Sequence, residues 1–323
     1  MTSWTNKTTA QEAALALQNE IKGKNVLVTG VSPRSLGAET VRVLAPYANT
    51  IILASRNRSR TEETIAAVKA ETPSASLEFV TLDLTSIESI KKAAAEVNSL
   101  GIPIHVVINN AAVSQFETLS RTVDGFEAQI GANHLGHFLF NSLILPSVRS
   151  AAKERVQPRI VVVSSLAVVY EGELRFDDFS YEKNPGEYAK LPAYSKSKTA
   201  NILYARALAK KLAKENILVF SLHPGAILET NMGSAASEDQ LKQFGLLDEH
   251  GKPVRDDTFK TIEEGTSTQI IAAFEPLIKD KSGAFLSDGQ IADDLLPVYA
   301  TDEASEVRLW ELSEQLLGHK FTS

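Results

Sequence analysis

Tyr194 and Lys198 stand four residues apart in Leu191-Pro192-Ala193-Tyr194-Ser195-Lys196-Ser197-Lys198, where a helix is expected to begin. That spacing sets both side chains on one helix face. An ammonium beside a phenol favours the phenolate, so the tyrosine becomes a better acid or base near neutral pH. The chemistry is proton transfer to or from a carbinol oxygen. Taken alone, the pair reads more simply as a surface i,i+4 contact, because tyrosine and lysine meet at this spacing by chance in many helices. Its weight depends on what the rest of the chain places around it.

Short apolar, β-branched runs alternate with helical patterns. Strands are expected at 26–28, 50–54, 77–82, 104–108, 159–163, 217–222 and 283–286. Helices are expected at 38–44, 60–71, 86–100, within 121–148, and at 194–214. The strands are almost wholly apolar rather than alternating, which argues for a parallel sheet buried on both faces. The alternation of strand and helix predicts an α/β fold, a single doubly wound parallel sheet of Rossmann type with helices on both faces. No linker or internal repeat divides it. One domain is expected over 22–323, after an N-terminal extension 1–21 whose patch Ala13-Ala14-Leu15-Ala16-Leu17 forms a short helix over a pocket or against the core. Segments 166–192 and 230–260 break the rhythm, and both follow strand ends on the ligand-binding edge of such sheets. The second, rich in Gly, Ser, Asp and Glu, is expected to be a mobile lid over the substrate.

Composition removes several classes. A formal charge of -7 and a pI near 5.5 give no basic surface for nucleic acid or an acidic membrane. The absence of cysteine excludes disulfides, thiolate catalysis and zinc–cysteine sites. No apolar run approaches a bilayer span, and the 13–17 patch is too short, and lacks the basic leader, for a signal peptide. A cytoplasmic protein without a membrane anchor is expected. The sequons Asn6-Lys7-Thr8 and Asn57-Arg58-Ser59 carry no meaning without secretion. His134 and His137 lie at i,i+3 with no cysteine or carboxylate set beside them, so packing or polar satisfaction is expected there and no metal.

The first strand runs into Thr29-Gly30-Val31-Ser32-Pro33-Arg34-Ser35-Leu36-Gly37-Ala38. A glycine-bearing turn between strand and helix can set backbone N–H groups against a pyrophosphate. The strict G-x-G-x-x-G pattern is absent, and by itself this is equally an ordinary βα loop.

From this turn onward the chain resembles the short-chain dehydrogenases/reductases. Thr29, Gly30 and Gly37 match the ends of that family's T-G-x-x-x-G-x-G, with Ser35 in place of the middle glycine and one extra residue. Asn109-Asn110-Ala111-Ala112 resembles N-N-A-G, and His223-Pro224-Gly225 resembles the turn beside the nicotinamide. Asn133, Ser165, Tyr194 and Lys198 match the catalytic tetrad. The resemblance implies cofactor contacts from Gly30, Ser32, Arg34, Ser35, Leu36 and Gly37 in the first turn. Further contacts are implied from Asp83 and Leu84 near the adenine, Asn110, Ala111, Tyr194, Lys198, Pro224, Gly225 and Ile227. Thr230, displaced by one residue, is implied to meet the carboxamide or phosphates. Tyr194 is then the general acid/base, Ser165 orients the substrate oxygen, and Lys198 lowers the Tyr194 pKa and binds the ribose. Asn133 holds a water that relays protons from Lys198.

The second strand ends in Leu53-Ala54-Ser55-Arg56-Asn57-Arg58, without the carboxylate that would bind a ribose 2′-OH. Arg56 is placed to pair with a 2′-phosphate, with Arg34 as a second clamp, so NADP(H) is the expected cofactor. Arg58 reads as solvated.

Asn133-His134-Leu135-Gly136-His137-Phe138, Tyr194 to Asn201 and Leu309-Trp310-Glu311-Leu312-Ser313 look like the retinol-dehydrogenase-like branch, which implies a small hydrophobic alcohol, aldehyde or ketone as substrate. By analogy a soluble relative would act on a lipid, terpenoid or polyketide in secondary metabolism. Two other readings share the fold: an isomerase or cyclase without net redox change, and an NADP(H)-sensing protein without catalysis. The family's habit of pairing through the helices that carry Asn133 and Tyr194 implies a homodimer or homotetramer. Phe138-Leu139-Phe140 and Ile202-Leu203-Tyr204 suit that pairing and simple core packing alike.

Overall fold

The computed structural model describes residues 4–114, 117–154, 156–255 and 257–322. The apolar runs become strands β1 (Asn25–Thr29), β2 (Thr50–Ser55), β3 (Leu77–Thr81), β4 (Val106–Asn109), β5 (Arg159–Val163), β6 (Leu218–His223), β7 (Phe285–Ser287) and β8 (Gln290–Ile291). They form one sheet in the order β3-β2-β1-β4-β5-β6-β7-β8. Every pairing is parallel except β7 with β8. Every residue of β1, β4 and β5 is buried, which is why these segments read as continuous apolar runs. The β8 strand was not foreseen. Two residues are too few to show a period, and they are reversed onto β7 by Asp288 and Gly289, both at positive φ.

The helices are α1 (Ala10–Ala16), α2 (Gln18–Ile21), α3 (Leu36–Leu44), α4 (Arg58–Glu71), α5 (Ile87–Ser99), α6 (Ala128–Ile130), α7 (Gly136–Ala152), α8 (Lys190–Leu212), α9 (Glu238–Gln243), α10 (Ile262–Phe274) and α11 (Glu303–Leu317). One sheet face packs against α5, α7, α8 and α11 through Phe138, Leu139, Leu208 and Trp310. The other packs against α1, α3 and α10 through Val41, Ile270 and Ile271. The N-terminal segment packs on the core. Thr9 caps α1 in a capping box with Glu12, and Ala10, Ala13 and Ala14 are buried against α3 and α10.

Two helices differ from expectation where the site is built. α8 begins at Lys190, one turn before Tyr194. Pro192 is tolerated because N–H groups in a first turn have no intrahelical acceptor. The helix expected within 121–148 is interrupted by a π-helical turn, Gly131–Leu135, between α6 and α7, and such turns often mark functional sites. The apolar 138–140 and 202–204 segments are buried within the chain. Trp310 of α11 covers them, its ring 4.9 Å from Phe138 and 6.0 Å from Tyr204.

Candidate active site

Strand order changes direction between β1 and β4. The carboxyl ends of the parallel strands therefore open on one edge, the position where such sheets bind ligands. Thr29, Asn109, Val163 and His223 end their strands there.

All four tetrad residues lie at this edge. The Lys198 ammonium is buried, donates to the Val163 carbonyl at 3.1 Å and lies 5.5 Å from the Tyr194 ring centroid. Ser165 follows β5. Its Oγ accepts from Ala167 N at 3.1 Å and lies close enough to the Tyr194 phenol to favour its ionised form. The next residue is held by Leu166 N donating to His223 Nδ1 at 3.1 Å, which ties the end of β5 to that of β6. Asn133 sits in the π-helical turn. Its Oδ1 accepts from Val113 N at 2.8 Å, and its Nδ2 donates to Val113 O and Ser197 Oγ, both at 2.9 Å. Ser197 in turn donates to Tyr194 O at 2.7 Å. The Asn133 side chain thus clamps the segment after β4 to the helix bearing Tyr194.

Electrostatics correct one expectation. Desolvation pushes the Tyr194 phenol up to about 12, with the nearby Ser165 hydroxyl pulling against it. Burial pushes Lys198 down to about 7. The expected lowering of Tyr194 by Lys198 does not appear. A buried lysine held by a carbonyl rather than a carboxylate has lost about half its charge at neutrality, which weakens its pull on the phenol.

His137 links this cluster to the first turn. Thr29 Oγ1 accepts from Asn110 N at 3.0 Å and Ala111 N at 2.9 Å, so its own proton goes to His137 Nε2 at 3.0 Å. His137 Nδ1–H then donates to the Asn133 carbonyl at 3.1 Å. Burial pushes His137 down to about 4. His134 pairs with Ser313 at 2.8 Å. The His137 ring has a partner at both nitrogens, whereas His134 Nδ1 is buried without one, and no cluster of three His, Cys, Asp or Glu suited to a metal exists among the described residues.

The first turn fits a dinucleotide. Gly30 has φ 74, and a Cβ there would lie 2.7 Å from Ala111 Cα. A Cβ on Gly37 would lie 2.3 Å from Gly30 O and 2.7 Å from Asn110 Nδ2. Asn110 Nδ2 donates to Thr29 O at 2.8 Å and Gly30 O at 2.9 Å, and Asn110 Oδ1 accepts from Gln269 at 3.2 Å. Ser35, standing where the family pattern has glycine, is the N-cap of α3. It accepts from Ala38 N at 3.1 Å and donates to Ser32 O at 2.6 Å. The extra residue is absorbed by Arg34 in the left-handed region, φ 57. Leu36 and Gly37 open α3, where N–H groups without intrahelical acceptors can meet phosphate oxygens.

Of the other expected contacts, Arg34 and Arg56 are exposed at the edge. Asp83 Oδ1 accepts from Thr85 N and Oγ1 at 2.9 and 2.7 Å. The Leu84 side chain belongs to the core, where it packs against Gly136. Gly225 has φ 100, with the Lys260 stem against it, and Ile227 lies against Gly265. The Thr230 hydroxyl is spent locally, donating to Ile227 O at 3.2 Å and accepting from Gly233 N at 2.9 Å. It closes the turn that starts the 230–260 segment.

The 230–260 segment crosses the same edge. Asn231 Nδ2 donates to Pro33 O at 2.8 Å, Arg34 Nη2 to Glu229 O at 3.3 Å, and Arg60 to Asn231 Oδ1 at 3.3 Å. Further along, Phe244 meets Tyr170 edge-on at 5.3 Å, and the Tyr170 hydroxyl donates to Phe244 O. Met232 faces the Tyr194 phenol, its Sδ 3.9 Å from Tyr194 Oη. Asn231, Met232, Ser197 and Gln269 were not foreseen as parts of the site. The sequence signal for the first three is proximity to the matched motifs, as Ser197 stands beside Lys198 and Asn231 beside Thr230, whereas Gln269 in α10 carries none.

A doubly wound sheet with this turn and this serine–tyrosine–lysine cluster defines a nicotinamide-type oxidoreductase architecture. The chain belongs to the short chain dehydrogenase family, whose model matches residues 24–175 and 184–241. It is 36% identical over 311 residues to human (Homo sapiens) retinol dehydrogenase 14, covering 92% of this chain and 87% of that protein, in keeping with the retinol-dehydrogenase-like branch. An uncharacterised protein from Mycobacterium Paratuberculosis superposes with TM-score 0.70 at 29% identity, covering 95% of this chain and 98% of that one. An NADPH-bound carbonyl reductase from chicken fatty liver shares the fold with TM-score 0.62 at 23% identity, covering 84% and 99%. Among the described residues no helix is long and apolar enough to cross a membrane.

Proposed function

We propose that the protein is an NADP(H)-dependent oxidoreductase that interconverts a hydrophobic alcohol and its ketone or aldehyde. The observation that carries this reading is the half-buried Tyr194 phenol, with the Ser165 hydroxyl close enough to favour its ionised form and Lys198 below its ring. The nicotinamide, when bound, supplies or accepts the hydride. Tyr194 Oη gives its proton to the substrate oxygen in reduction and takes it back in oxidation. Ser165 Oγ holds that oxygen near the phenol. Lys198, when protonated, favours the phenolate and offers donors to a ribose hydroxyl, while Asn133 keeps α8 in register with the segment after β4. Gly30, Gly37 and the N-terminus of α3 would hold the pyrophosphate. Preference for NADP(H) is supported by the exposed Arg34 and Arg56 and the absence of an acid at the end of β2. The hydrophobic substrate class is supported by the apolar lid side chains Met232 and Phe244 and by the kinship with retinol dehydrogenases. A cytoplasmic location is part of the same proposal.

The test is absorbance at the nicotinamide band over a panel of apolar ketones and alcohols. Tyr194→Phe is expected to lower kcat by about 10²–10⁴-fold with cofactor Kd unchanged, and retention of most activity would overturn the assignment. Arg56→Ala is expected to weaken NADP(H) binding and leave NAD(H) binding alone. An unchanged ratio of the two affinities would refute the cofactor preference.

A further inference from the structure

The atom facing the catalytic phenol is a thioether sulfur. Met232 Sδ lies 3.9 Å from Tyr194 Oη, on the side from which a substrate oxygen has to approach to share the Tyr194 proton. Building on the oxidoreductase reading, we propose that Met232 is a specificity-determining residue. Its side chain fills the substrate's place against Tyr194, swings aside to admit the substrate, and then packs on the apolar group next to the reacting carbon.

The backbone around Met232 is pinned on both sides. Before it, Asn231 donates from its side chain to Pro33 O at 2.8 Å and from its backbone to Arg34 O at 3.4 Å. After it, Gly233 N donates to Thr230 Oγ1 at 2.9 Å. Gly233 packs so closely that a Cβ would lie 1.9 Å from Ile227 O. The movable part is therefore the unbranched side chain, which adapts its shape readily through three rotatable bonds. Sulfur is a weak acceptor, so the phenol gives up little when it exchanges Met232 for a carbonyl oxygen. A displaced thioether leaves an apolar wall, which suits a ketone or alcohol with apolar substituents and opposes a charged one, whose lost hydration nothing there replaces.

The chain holds two methionines, Met1 and Met232, so labelling methionine methyls with carbon-13 yields a spectrum in which Met232→Leu assigns the Met232 resonance. The protein is saturated with oxidised cofactor and an apolar ketone, a pair that cannot react. The Met232 methyl resonance is expected to move on addition of the ketone. Turnover is compared for ketones of increasing bulk beside the carbonyl. Met232→Ala is expected to shift the ratio of kcat/KM for large over small ketones by about 10-fold, mostly through KM, and Met232→Leu by much less. An unmoved methyl resonance at saturating ketone, or a wild-type ranking of ketones in Met232→Ala, overturns the proposal while leaving the oxidoreductase reading intact. If the wild-type protein turns over no alcohol or carbonyl compound with either nicotinamide cofactor, both fall.

Discussion

Replacing Lys198 with methionine should make the protein more stable and inactive at once. Lys198 is buried at 2% exposure, and burial lowers its pKa from 10.5 to about 7. The unfolded chain keeps this proton up to about pH 10.5, whereas the folded chain releases it near 7. Between those values the unfolded state binds more protons, so wild-type stability rises with pH. The penalty for burying the ammonium is fully present below about pH 7 and vanishes above 10.5. Each pH unit in that window is worth about 1.4 kcal/mol, so the full penalty is on the order of 5 kcal/mol. Methionine has similar length and no charge to desolvate. Urea denaturation of both proteins at pH 6, 7, 8 and 9, without cofactor, should show Lys198→Met more stable by several kcal/mol at pH 6–7. The gap should close by about 1.4 kcal/mol per unit above 7. His137, the other titratable group facing Lys198, is pushed down to about 4, and Tyr194 up to about 12, so neither titrates in the window. A difference that is absent or flat with pH would refute the account of Lys198 as a strained base kept for function at a cost in stability.

Ser35→Ala should cost about 1 kcal/mol through loss of the α3 N-cap, while Ser35→Gly should cost only a few tenths. Denaturation midpoints decide this, and equal losses in the two variants would mean that Ser35 acts otherwise. Gly37→Ala places a methyl 2.3 Å from Gly30 O and 2.7 Å from Asn110 Nδ2, and the backbone partner cannot rotate away. Stability should fall by about 1–3 kcal/mol and cofactor Kd should rise at least about 10-fold. A variant with wild-type melting and affinity would show that the turn has slack.

Much of this protein was legible without coordinates because the signals are local. A strand buried on both faces is a continuous apolar run, as at Asn25–Thr29 and Arg159–Val163. A helix that must carry a phenol and an ammonium on one face spaces them by four. Thr29, Gly30, Asn110, Ser165, Tyr194 and Lys198 all fall on the single edge that the expected sheet provides. Tertiary structure alone decided what depends on burial and on partners distant in the chain. Lys198 is a full charge until its surroundings exclude water, and only the packed core shows that it begins to lose its proton near neutrality. Ser35 reads as a missing glycine until the turn closes and it caps α3. The 138–140 and 202–204 segments are apolar in any reading, and only the position of Trp310 on α11 shows them covered from within the chain. Met232 stands 38 residues from Tyr194, beyond any periodicity, and reaches the phenol because Asn231 is held by the first turn. Residue type and spacing determined which groups are candidates for the chemistry. Desolvation and long-range packing decided their charge, their partners and what stands before them.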